Sequence, residues 1–174
     1  MKIALVAFLF AASAFAQTPP AIAPAACGPA KASFDVALEN TKSTPAQPDA
    51  GKAEVYFIQD DGPMGNHQHI TLRIGLDGAW AGAYKQNSYF SVSVEPGEHH
   101  LCANAQSFGS PRKFVALAHF MAVPGKVYYF RTQLFAGLTT LYPTPPHLDF
   151  DPIDSDEGKY LITSFPLSVS YPKK

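Results

Sequence analysis

Proline and glycine set the first limit on this chain. Sixteen prolines and twelve glycines are spread through its 174 residues, so few stretches can run as an uninterrupted helix, because proline lacks a backbone donor and clashes with the preceding turn. The segments between are apolar enough to fold, with 47% hydrophobic and 13% aromatic residues. Turn signals recur every roughly 10 to 15 residues, the spacing of an all-β sandwich or barrel. Thirteen basic against fourteen acidic side chains give a net charge of −1. That balance lacks the basic excess of a phosphate-backbone binder and excludes nucleic acid as an expected partner.

Lys2, the apolar run Ile3 to Phe10 and the small residues Ala14 and Ala16 form a signal-peptide pattern, with a cut expected after Ala16. The apolar stretch is shorter than the roughly 20 residues of a membrane-spanning helix, and no second span follows. Residues 17–30, rich in Pro and Ala, read as an extended linker, and residues 31–174 as one β-sandwich domain. The chain has two cysteines, Cys27 and Cys102, which in an oxidising compartment make one disulfide. Free thiols, or lipidation of Cys27, are the alternatives. The expected location is periplasmic or secreted.

Phe34, Val36 and Leu38 alternate with polar neighbours, while Glu54 to Gln59 is apolar on both faces and therefore central in a sheet. Ile70, Leu72, Ile74 and Leu76 alternate with Thr71, Arg73 and Gly75, placing Thr71 and Arg73 on a wet face. Asp77-Gly78 then supplies a hairpin turn of positive φ, and Trp80 to Lys85 returns as the partner strand. Further strands are expected around Phe90 to Val94, His99 to Gln106, Phe114 to Val123 and Val127 to Phe135. The segment after Gly137, with Pro143, Pro145, Pro146 and Pro152, reads as a loop. Ser155-Asp156-Glu157 opens one short C-terminal helix to about residue 164, and Leu167 to Ser170 offers an edge strand. The expected fold is thus an antiparallel β-sandwich of about eight strands.

The run Arg73-Ile74-Gly75-Leu76-Asp77-Gly78-Ala79-Trp80-Ala81-Gly82, then Ser88-Tyr89-Phe90, then Val94-Glu95-Pro96-Gly97-Glu98-His99, resembles the PEGA repeat. It is still more similar to a related domain-of-unknown-function family of exported bacterial β-sandwich proteins. Val55 to Ile58 and Lys126 to Phe130 extend the resemblance to roughly residues 53 to 131. It implies a small β-sandwich of the cell envelope, lipid-anchored in some members, and brings no catalytic residues.

No Gly-x-Ser-x-Gly elbow, phosphate-binding loop, dinucleotide fingerprint or Cys-x-x-Cys is present, so no catalytic residues and no cofactor are expected. The acidic residues Asp149, Asp151, Asp154, Asp156 and Glu157 read as a solvated helix-capping loop, and Asp60-Asp61 as a turn. His67 and His69, two apart on a strand, project to one face about 7 Å from each other. With His99, His100 or His119 from another strand they make the alternative reading, a periplasmic metal-binding protein. Trp80, Tyr84, Tyr89 and Phe90 cluster near one hairpin as core aromatics or as a contact surface for a glycan or protein. The leading expectation is a non-enzymatic module that binds or scaffolds an unknown envelope protein or glycan.

Overall fold

The computed structural model describes residues 25–40, 44–61, 70–106, 114–135 and 145–173. The signal-peptide pattern, most of the proposed linker and the pair His67 and His69 lie outside these residues. Ten strands and one helix follow in the order β1 (Phe34–Glu39), β2 (Ala53–Gln59), β3 (Thr71–Leu76), β4 (Ala79–Lys85), β5 (Ser88–Val94), β6 (Gly97–Ala105), β7 (Val115–Ala122), β8 (Val127–Phe135), β9 (His147–Ile153), α1 (Ser155–Ser164) and β10 (Leu167–Pro172). They build a six-stranded sheet, β1-β10-β5-β2-β8-β9, and a four-stranded sheet, β4-β3-β6-β7. The expected all-β sandwich is what forms. Among the described residues none makes a helix long and apolar enough to cross a membrane.

Side-chain alternation explains the layers. Val55 and Phe57 of β2 join Phe90, Val94, Phe130, Leu134, Leu148 and Phe150 on one face of the larger sheet, meeting Leu72, Ile74, Tyr84, Leu101 and Ala103 of the smaller one. Tyr56 and Ile58 point the other way and pack with Tyr89, Tyr129, Leu161 and Ile162 beneath α1. Buried along all seven residues, β2 is the central strand that its two-faced apolar run requires.

The larger sheet is mixed rather than purely antiparallel, since β2 runs parallel to β8 and β10 meets β5 in parallel. The segment read as a proline-rich loop contains β9, paired antiparallel with β8. Leu148 and Phe150 turn inward while Asp149 and Asp151 turn out, and Pro152 is tolerated because β9 is an edge strand. Asp154 caps α1 through the amides of Asp156 and Glu157, as the acidic helix start predicted.

Thr71 and Arg73 are buried, not wet. The reason is a strap: residues 25–32, the described end of the expected linker, lie across the outer face of the four-stranded sheet. Cys27 is disulfide-bonded to Cys102 with Cα atoms 5.1 Å apart, and the amide of Gly78 donates to the Ala26 carbonyl at 3.2 Å. The Arg73 guanidinium donates through Nε to Asn104 Oδ1 at 2.9 Å and through its other nitrogens to the carbonyls of Ala30 and Ala32. The guanidinium carbon sits 4.1 Å from the centre of the Trp80 ring, and Trp80 Nε1 donates to the Pro29 carbonyl at 2.9 Å. Gly75 makes room for this approach, for a Cβ there would lie 2.5 Å from the Ala26 oxygen.

Two outcomes follow for stability. The bridge closes a separation of 75 residues, so its reduction, or Cys27→Ser with Cys102→Ser, lowers unfolding free energy by up to about 4 kcal/mol, read as a shift in urea midpoint. Arg73→Met keeps the apolar stem but strips the carbonyls of Ala30 and Ala32 of their donor, destabilising by about 2 to 4 kcal/mol. Arg73→Lys recovers little of that loss, because an ammonium cannot reproduce the planar fork, and the same urea titration reads it.

Candidate functional site

The strap leaves one part of the smaller sheet's outer face uncovered. On β7 the side chains alternate: Ala116, Ala118 and Phe120 pack against the core, while Leu117, His119 and Met121 are exposed. On β6 the same face carries Glu98, His100 and Cys102. The antiparallel register sets Glu98 opposite Met121, His100 opposite His119 and Cys102 opposite Leu117. A groove of about 460 Å³ runs between the strap and these strands, lined by Ala25, Ala26, Asp77, His100, Leu117 and Ala118 among others.

At one end of this face stands Asp77. It adopts φ 51° and Gly78 φ 88°, the left-handed pair that a tight hairpin turn needs and that Asp-Gly supplies. One carboxylate oxygen accepts the His100 amide at 2.8 Å and the other lies 2.6 Å from His99 Nδ1. His99 Nε2 lies 2.7 Å from the Glu95 carbonyl. Both partners of the ring are acceptors, so the arrangement favours the imidazolium, in which both ring nitrogens donate. Burial pulls its pKa down, yet the Glu95 carbonyl and the Asp77 carboxylate outweigh burial and hold it above the ordinary value. Burial likewise pushes the Asp77 carboxyl up, and the His100 amide and His99 ring more than offset this, leaving it below the usual range.

This pair resembles an acid–histidine couple, but both ring nitrogens are already engaged, so it works as a clamp. It ties the β3–β4 turn to the Pro96-Gly97-Glu98-His99 turn that opens β6. The same bonds remove His99 from the expected metal-ligand set. Of that set, the structure brings His100 and His119 together, with ring centres 6.4 Å apart. His67 and His69 lie outside the described residues.

The aromatic contact surface is corrected. Tyr84 and Tyr89 are 0% and 1% exposed; alternation sends Tyr84 between the sheets, where it bonds Thr132 Oγ1 at 2.8 Å, and Tyr89 beneath α1. Phe90 is core as well, and one face of Trp80 is occupied by Arg73. Burial pushes the Tyr84 hydroxyl pKa up, against the hydrogen bond to Thr132. Asp61 behaves as a turn acid, accepting from the Leu134 amide and from Gln59. A second groove, about 560 Å³, lies on the far side, lined by Pro45, Pro48, Tyr129, Ser155 and Lys159 among others.

Leu117 and Met121 went unremarked in the sequence because an exposed large apolar side chain on an alternating strand looks like a buried one until the inward face is known. The small inward residues Ala116 and Ala118 were the available signal.

The clamp has a pH signature. The folded pKa of His99 is raised above 6.5, so its stabilisation is complete below about pH 6.5 and is lost as pH rises through the folded value. On the acid side, Asp77 is lowered from 3.8, and its contribution disappears as pH falls through that lowered value. His99→Gln, which cannot donate at both positions, narrows the stability difference from wild type above pH 6.5 and below pH 3.8, measured by urea unfolding across pH. Comparison with known proteins finds no family model, curated protein or solved structure that matches this chain.

Proposed function

We propose that the chain is an exported, non-enzymatic β-sandwich module of PEGA-like type that binds or scaffolds cell-envelope components through the outer edge of β7. The observation that carries this reading is the exposure of Leu117 and Met121, at 57% and 60%, on an edge strand, Val-Ala-Leu-Ala-His-Phe-Met-Ala, that contains neither a formal charge nor a proline. Edge strands are ordinarily blunted by charge or proline because their free backbone groups accept further strands. Here β9 carries Asp149, Asp151 and Pro152, and β1 carries Asp35 and Glu39. A segment added to β7 would gain main-chain hydrogen bonds and apolar contact together.

A protein partner is favoured over a glycan because, of the aromatics near the β3–β4 hairpin, Tyr84 and Tyr89 are buried and one face of Trp80 is taken by Arg73. The disulfide supports an oxidising compartment, and the leader pattern of residues 1–16 supports the periplasm or the outside of the cell. A photo-crosslinking residue at Leu117 is expected to yield a discrete protein adduct in the intact envelope, whereas one at Tyr160, exposed on α1, yields none. Absence of an adduct at Leu117, or the same adduct at both positions, overturns the reading.

A further inference from the structure

The register of β6 and β7 gathers donor atoms that the sequence keeps apart. His100 and His119 are directly opposite, and Glu98 and Met121 form the next pair on the same exposed face. We propose that His100, His119 and Met121 form a copper site. This goes beyond docking at β7 and does not depend on it.

The two imidazoles stand near the separation that a shared ion requires. Metal–imidazole bonds of about 2.0 to 2.1 Å place two ring centres roughly 5 to 6 Å apart around one ion. The present separation is 6.4 Å, and both rings are exposed and so free to rotate toward one another. His119 and Met121, two residues apart on β7, share a face about 7 Å from each other, a gap that the flexible thioether arm spans. The His100 ring nitrogen lies 3.9 Å from Glu98 Oε1.

The backbone beneath is fixed in advance. Asp77 holds the His100 amide, and the disulfide anchors Cys102 two residues further on. With both cysteines joined, no thiol competes for the metal. Asp77 is paired with His99 and Glu98 lies beside His100, while the Arg73 guanidinium is buried beneath the strap.

Donor chemistry selects the ion. A thioether with two imidazoles is a soft set that suits Cu(I), and copper also leads the divalent affinity order for nitrogen donors. Calcium and magnesium, which take oxygen ligands, are poorly matched.

The test uses the mature, untagged protein, titrated anaerobically with Cu(I) against the chromophoric chelator bicinchoninate. Ascorbate serves as reductant because it leaves the disulfide intact. One copper per chain is expected, with affinity falling about a hundredfold in His100→Ala or His119→Ala. Met121→Leu weakens Cu(I) by roughly tenfold and Cu(II) much less, because only the soft ion gains from sulfur. X-ray absorption shows a sulfur neighbour to copper in the wild type and loses it in Met121→Leu. His67→Ala with His69→Ala leaves affinity unchanged. His100, His119 and Met121 are exposed, and a thermal melt of each variant verifies folding. Failure of the wild type to compete with the chelator overturns the proposal. So do unchanged affinity in the His100→Ala/His119→Ala double variant, loss of copper in the His67/His69 variant, and a sulfur signal that survives Met121→Leu.

Discussion

A guanidinium taken out of water needs acceptors for a rigid fork of five donors, and Arg73 is 5% exposed. Its acceptors are chiefly backbone carbonyls of the strap, with Asn104 Oδ1 from β6 and the face of Trp80 completing the shell. The strap is therefore more than a cover: it takes the guanidinium out of water and supplies the carbonyls that replace that water. The disulfide acts on the same contact from the other direction, tying Cys27 to the middle of β6. Together they convert an extended Pro/Ala stretch into a third layer, and β1 continues from it into the larger sheet, with the Phe34 backbone held by Gln106 at 2.7 and 2.8 Å.

The position of the strap determines what remains free. It covers β3 and part of β6, so the outer face of β7 and the adjoining end of β6 are the exposed remainder. The Asp77 clamp operates at that boundary. By accepting from His100 and pairing with His99, it aligns the turn before β4 with the turn before β6, and so holds His100 in register with His119. The proposed docking at β7 and the proposed copper site thus draw on one surface with one structural origin.

Much of the fold was legible in the residues. Asp77-Gly78 announces a turn of positive φ, the two-faced apolar run of β2 announces a central strand, and Asp154 with the acids after it announces a capped helix. β9 was hidden because Pro152 and the prolines before it mask an alternation only seven residues long. The burial of Thr71 and Arg73 was hidden for a different reason: the alternation is real, but its polar side is covered by a segment some 40 residues earlier. The aromatic residues were legible as a cluster, yet their direction was not, since Tyr84 and Tyr89 lie five apart on different strands and face different layers.

The sequence by itself determined the local terms: which residues permit a reversed backbone, where a cap can form, and which segments have a period of two. These depend on neighbours a few positions away and are nearly independent of the rest of the chain. Only the tertiary structure decided that β2 lies parallel to β8, that the strap covers β3 and part of β6, and that His100 meets His119 while His99 is engaged by Asp77 and Glu95. Those outcomes depend on pairing between distant segments, where a shift of one residue exchanges the two faces of a strand. A pattern of alternation carries no record of which register the partner strand will choose.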